Sequence, residues 1–497
     1  MSMFRRIVVI GGAGVLGAAA LAMVQIRVGS LFGVGGELDA FFVGAALPSV
    51  VLAIAAAAIS SLVVPRLPAG EPALVARVAG RMTVRAVVIG IGAAAIVAIA
   101  APLIVKLIGP GLEPQVSDEA ADVLRIYALS IPGTAAAFVY ASYGYASGRI
   151  WASGLSTTAY ALTWLALLFL PAFSDNVTSV AIAGVIATCV QVLAAFLLSS
   201  GGLPRPRPVF SGLRVSRVGL AAISAVVGAA IVARTGLLLD PLYGSFLPVG
   251  SVSELSYAAR IAALAILVSG QGVAFSLLIT AREGGDRSRQ EGRIGLVAPL
   301  IFSTSAAIVL LFAAPALTDL ILVRGQLDAE AAGRIADLLR LWAPAIVAFT
   351  VIWALEAILY AELRTTEVLT RALAGLAVNV IASGLLVLAL GIEGRPLGVL
   401  VAALAQLALL VRLFWRDERF VVLRGLHAWR TITANAVAVA VASGLLVGLS
   451  ELLSMPEAGA VVAVVAAAVI SLMTLRVYSR SHELGVRPGA SGGESIA

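Results

Sequence analysis

The chain has 497 residues, 61% hydrophobic and only 12% charged, with a mean hydropathy of +1.05, which excludes an ordinary soluble domain with its roughly 25% charged complement. A net charge of +7 and a pI near 10.0 would suit a nucleic-acid binder, but nearly all the basic residues are arginines in short segments between apolar runs. They read as topology signals and contacts to anionic membrane lipids, so nucleic acid is excluded as a partner. The apolar runs are about 20 residues long, enough for an α-helix to cross roughly 30 Å of hydrocarbon. No period-2 alternation of a membrane β-barrel is present, so the expected fold class is an all-α polytopic membrane protein.

The first run, about 7–31, follows MSMFRR and has the charge layout of a signal peptide. It continues to Phe32 without a small-residue cleavage site, so an uncleaved first helix is expected, with Arg27 near its far end. The second helix is expected at 40–64. Between the two lies FGVGGELDAFFVGAALP, which sets Asp39 at their junction, and a carboxylate so close to hydrocarbon is costly unless it faces protein, water or a ligand. The segment RLPAGEPALVARVAGRMTVR then supplies Arg66, Arg77, Arg81 and Arg85 to a cytoplasmic loop.

A third helix at 86–108 leads into the acidic outer loop GPGLEPQVSDEAAD. The fourth and fifth, 123–147 and 150–173, are joined by Gly148 and Arg149 on the inside, and a sixth covers 177–200. The Pro- and Arg-rich stretch 201–217 marks a cytoplasmic linker between an N-terminal lobe, 1–200, and a C-terminal lobe, 218–431. In the second lobe, helices at 218–239 and 254–281 contain Arg234 and Arg260, and REGGDRSRQEGR returns to the cytoplasm. A ninth helix at 294–323 is followed by an outer polar stretch, RGQLDAEAAGRIADLLR, and a tenth at 341–360 by the inner turn AELRTTEV. Helices at 369–390 and 397–415 flank IEGRP on the outside. Two more lie within 432–478, and the polar, Gly-rich tail 479–497 is expected to be disordered in the cytoplasm.

The sum is about fourteen spans with both termini cytoplasmic: two six-helix lobes around a central cavity plus two C-terminal helices, in the inner (plasma) membrane. Nothing points to an enzyme, a cofactor or a metal. The two histidines, His427 and His482, fall in cytoplasmic segments, and no HExxH, CxxC or P-loop pattern occurs. The lone Cys189 cannot form an intramolecular disulfide, and GGAG at 11–14 reads as close helix packing. The informative residues are charges at membrane depth: Arg27, Asp39, Arg125, Arg234, Arg260 and Glu356. Arginines in a water-filled cavity suit an anionic substrate, and Asp39 is expected to pair with Arg27, Arg234 or Arg260 when that cavity is empty.

The stretch FGVGGELDAFFVGAALP resembles the hallmark of the MurJ/MviN lipid II flippases. Further collinear matches are Val64-Pro65, SYAARIAAL from Ser256, LVRGQLDAE from Leu322, YAELRTTEV from Tyr360, and VNVIASGLLVLALGIEGRPLGVLVAALAQLALL. The resemblance implies the fold of the multidrug/oligosaccharidyl-lipid/polysaccharide exporter superfamily. It also implies transport of an undecaprenyl-pyrophosphate-linked glycan lipid to the external leaflet, coupled to an ion or to membrane potential, with cell-wall synthesis proteins as possible partners. Asp39 and Arg260 match family functional positions, and Arg27 and Arg234 complete the candidate substrate-binding set. The sequence departs from the pattern in lacking other arginines along the first membrane run and in the apolar SVVLAIAAAAI after Leu47-Pro48. Alternatives are a flippase for another polyprenyl-linked glycan, a cation-coupled drug exporter, or a non-transporting paralogue serving as a cell-wall scaffold.

Overall fold

A computed structural model describes residues 3–66, 72–147, 149, 151–200, 206, 236–283, 286–362, 364–415 and 426–485. The N-terminal helices are α1 (Met3–Phe32), α2 (Gly36–Arg66), α3 (Pro72–Ile99), α4 (Ala101–Ile108), α5 (Pro114–Ala128), α6 (Ser130–Ala146), α7 (Ala152–Leu167) and α8 (Val177–Ser200). After the short α9 (Leu239–Gly244) come α10 (Ser251–Glu283), α11 (Asp286–Leu322), α12 (Ala329–Ala361), α13 (Thr365–Leu390), α14 (Gly394–Phe414), α15 (Leu426–Leu452) and α16 (Pro456–Gly485). Among the described residues no strand forms, and nine helical stretches are long and apolar enough to cross a membrane. The expected helix at 218–239, with Arg234, and the linker 201–217 lie almost wholly outside the described residues.

The helices overrun the apolar runs that announce them. Arg77, Arg81 and Arg85, expected in a loop, stand on α3, and the polar AEAAGRIADLLR is the first part of α12. The tail does not begin at Ser479 as a disordered segment, because α16 continues to Gly485. Hydropathy reports where side chains meet hydrocarbon, whereas backbone hydrogen bonding continues until a breaker or a poor helix former intervenes. Asp328 starts α12 by accepting a hydrogen bond from the Ala331 amide at 2.8 Å, as an N-cap does.

Two expected helices are broken. The third is interrupted at Ala100, just before Pro102 in the first turn of α4. The fourth starts at Pro114, not near 123, and is interrupted at Leu129, where Pro132 has no amide to offer the Ala128 carbonyl. Beside that break Ser130 Oγ donates to the Tyr127 carbonyl at 2.7 Å.

One hydrophobic core joins the two groups of helices where α1 ends and α2 begins, bringing Val28, Leu38, Phe41 and Phe42 together with Val252, Leu255 and Tyr257. The α11–α12 turn closes over the end of α1, with the Gln326 amide donating to the Ser30 carbonyl at 3.0 Å. On the far side, α15 and α16 dock on α11 through a buried polar triad. Asn435 Nδ2 donates to Ser305 Oγ at 2.8 Å, and that hydroxyl lies 2.8 Å from Ser471 Oγ.

Candidate functional site

Asp39 stands in the first turn of α2 and is 3% exposed. The chain is turned into position by Gly33, whose φ of +66° a side chain would rarely adopt and whose added Cβ would meet the Gln326 carbonyl at 2.7 Å. The carboxylate reaches across to the start of α10. It accepts from the Gly250 amide at 2.7 Å, the Ser253 amide at 2.8 Å and the Ser253 hydroxyl at 2.5 Å. No arginine takes part in these contacts, contrary to the sequence expectation. The free amides and positive end of the α10 dipole hold the charge instead, a setting in which each charge-assisted bond contributes about 1.5–3 kcal/mol.

Arg260 lies seven residues after Ser253, so both share a face of α10, about 10 Å apart along its axis. Its guanidinium sits 4.7 Å from the centroid of the Phe42 ring, one turn after Asp39 on α2. The two helices are therefore joined by an outer polar rung, Asp39 with the α10 start, and an inner aromatic rung, Phe42 with Arg260 and Tyr257. Phe42 meets Tyr257 edge-on at 5.3 Å, and the Tyr257 hydroxyl donates to the Gln25 carbonyl at 3.1 Å. The Tyr127 and Tyr160 hydroxyls are 3.3 Å apart in the same core, and Tyr127 meets Phe41 edge-on. Among the described residues, no protein group accepts a hydrogen bond from the Arg260 guanidinium, so its donor edge stays available while its face is stacked.

The other candidates go elsewhere. Arg27 points at the end of α7, where its guanidinium is 3.4 Å from the Leu168 carbonyl and 4.9 Å from the Phe169 ring centroid. Arg125 is exposed and paired with Asp122 at 2.6 Å. Glu356 accepts from Gln406 Nε2 at 3.0 Å inside the C-terminal helices. Arg234 lies outside the described residues. A cavity of about 220 Å³ opens beside the Asp39 latch, lined by Gly36, Asp39, Gly111, Glu113, Ser245 and Pro248 among others.

Sequence reasoning missed a buried cluster. Arg395, expected in an outer loop, is in the first turn of α14 and only 2% exposed. Its Nε is 2.7 Å from Asp240 Oδ1, and its other nitrogens donate to Asn379 Oδ1 and Ser383 Oγ, both at 2.9 Å, and to the Gly236 carbonyl at 3.1 Å. The one available signal was an acid and a base each closing an apolar run, but nothing local says that the two ends meet.

The model of the lipid II flippase MurJ family matches residues 28–469. The chain belongs to that family. Its members are transporters rather than enzymes, and the chain is a multi-pass protein of the inner membrane. Asp39, Asp240, Arg260 and Arg395 all fall inside the matched stretch, and Arg27 just outside it. Among solved structures the fold is similar to a lipid II flippase MurJ in an inward closed conformation, with a TM-score of 0.76 and 16% identity over 95% of this chain and 99% of that one. It is also similar to an inward-facing multidrug resistance MATE family transporter of the MOP superfamily, with a TM-score of 0.67 and 14% identity over 86% and 100% of the two chains. A MOP superfamily transporter from Pyrococcus furiosus gives a TM-score of 0.66 and 14% identity over 86% and 97%. No curated protein sequence matches the chain. At these identities the structural neighbours speak for the fold: an all-α protein of two helical lobes with two further C-terminal helices.

Proposed function

We propose that the chain moves a polyprenyl-pyrophosphate-linked glycan of the lipid II class from the cytoplasmic to the external leaflet by alternating access, driven by membrane potential or an ion gradient. The observation that carries this reading is Arg260: partly accessible, stacked on Phe42, and with a donor edge unclaimed by any described protein group. A guanidinium in that state is a bidentate ligand for phosphate oxygens. Asp39 supplies the switch. While its carboxylate caps α10 the two lobes are held at this end, and opening there requires the carboxylate to exchange the α10 amides for water or another donor. A ligand that interacts differently with the latched and unlatched states shifts the balance between them.

The test is measurement of external-leaflet lipid II in cells depleted of their lipid II flippase and supplied with this chain, together with restoration of growth. Wild type is expected to restore both, and Asp39→Ala and Arg260→Ala to reach the membrane but restore neither. Full restoration by both variants would sink the residue assignment. A second reading, a flippase for another polyprenyl-linked glycan, is favoured by one observation: Arg27, a cation of the first helix, is engaged at the end of α7. Normal membrane levels without recovery of external lipid II, but with recovery of a different surface polymer, would decide for it.

A further inference from the structure

Two carboxylates meet at the start of α10, and the latch uses only one of them. Asp39 comes from α2 to the amides of Gly250 and Ser253. Glu254, the next residue of α10 itself, is 5% exposed and stands where free amides and the helix dipole attract any acid within reach. Gly250, Ser253, Glu254 and Tyr257 follow the i, i+3, i+4, i+7 spacing of one helix face. Asp39, bound at the first two, therefore lies on the face that carries Glu254. An unpaired Glu254 would repel Asp39 and compete with it for the same positive end.

Glu254 is answered from the opposite direction. Arg334, in the second turn of α12, donates from Nε to Glu254 Oε1 at 2.6 Å. Another of its nitrogens donates to Glu330 Oε1 at 2.8 Å, one turn earlier on α12, so the guanidinium is aimed by its own helix before it reaches α10. The pair is unequal, with the Glu254 side chain 7% exposed and that of Arg334 46%. Such a pair acts chiefly by leaving no uncompensated charge on its buried member. We infer that Arg334 is a positioning residue for the Asp39 latch: it occupies Glu254 so that the start of α10 is left to Asp39. The inference rests on the proposal that Asp39 is the switch, and it adds a residue that sets the strength of the latch without touching the carboxylate.

Disulfide formation between Gly36→Cys and Val249→Cys reports the latch, because a Cβ at Gly36 lies 3.9 Å from Val249 Cγ1 across the lobe boundary. In the full chain carrying Cys189→Ala, purified in lipid nanodiscs, Arg334→Met is expected to slow this cross-link on the order of tenfold. Arg334→Lys, which keeps the charge, should slow it much less. Glu254→Gln breaks the same ion pair and is expected to leave the cross-link as fast as wild type or faster, because it removes the competing acid. Adding it to Arg334→Met should restore the rate. A pair that merely braces α10 against α12 predicts slowing by either single variant, and that pattern, or a wild-type rate with Arg334→Met, overturns the inference. Asp39→Asn separates the inference from the reading beneath it. A wild-type rate there overturns the latch and the inference together, whereas slowing there beside a normal Arg334→Met overturns the inference alone. With Asp39 replaced, Arg334→Met is expected to slow the cross-link no further, and an additional loss also overturns the inference. If Arg334→Met fails to fold, the Glu254→Gln rate still decides.

Discussion

At the scale of single residues, Asp39 and Arg260 sit on facing helices but have different relations to the protein. Asp39 is fully engaged, with three donors on two oxygens, and Arg260 is engaged only through its face. Replacing Asp39 by Asn tests the latch with little change of shape. The amide carries no charge for the α10 dipole, and its NH2 group turns a donor toward backbone amides that are donors themselves. A reporter is available nearby, since a Cβ added at Gly36 would lie 3.9 Å from Val249 Cγ1 across the lobe boundary. In a Cys189→Ala background, a Gly36→Cys, Val249→Cys pair is expected to cross-link readily with Asp39 present and several-fold more slowly with Asp39→Asn. Equal rates would show that the carboxylate does not hold this end closed. Both residues of the rungs were legible in the sequence as charges at membrane depth. Their partners were not, because the donors to Asp39 are backbone amides, which every residue but proline carries.

At the scale of elements, the turns around the Asp39 contacts are shaped by glycines that leave no room for a side chain. Gly325, in the turn between α11 and α12, has a φ of +64°, and a Cβ there would run into the Ser30 carbonyl at the end of α1. Gly111 approaches the Ser245 carbonyl in the same way, and its amide donates to Ser245 Oγ at 3.3 Å. Gly325→Ala is expected to cost about 1–3 kcal/mol, through backbone strain and the displaced α1 contact. It should lower the melting temperature of the detergent-solubilised protein and slow the 36–249 cross-link. An unchanged melting temperature and cross-link would mean that the turn is not held against α1 in the membrane. Helix existence was legible from apolar runs, and helix length was not. Arg77, Arg81, Arg85 and the AEAAGRIADLLR segment belong to helices because their backbones have no reason to stop where the hydrocarbon does.

At the scale of the whole molecule, the arginine bias of alternate connections predicts which end faces the cytoplasm. On that expectation the contacts among Asp39, Gly111, Ser245 and Ser30 lie at the external end. Glu113 and Glu393 are exposed on connections assigned to the outside and Trp415 on one assigned to the inside, which makes a direct test. With Cys189 replaced by alanine, Glu113→Cys and Glu393→Cys are expected to react with a membrane-impermeant maleimide in intact cells, and Trp415→Cys only after permeabilisation. The reverse pattern would invert the topology, and with it the direction assigned to transport. The lipid-facing surface agrees with a bilayer setting, since Ile99, Leu388, Leu452 and Met473 are all more than half exposed.

Read along the chain, the residues specify an all-α membrane protein, roughly where its spans lie, which family motifs it carries, and that Asp39 and Arg260 are costly charges in need of a purpose. Those properties follow from the free energy of transferring each residue to hydrocarbon, which is local and additive enough to read along a chain. The tertiary structure alone decided who meets whom. It gave Asp39 to the amides of α10 rather than to an arginine, sent Arg27 to the end of α7, and buried Arg395 against Asp240. Those pairings depend on distance between segments far apart in the chain, and Coulomb and hydrogen-bond energies fall off in space, not in sequence.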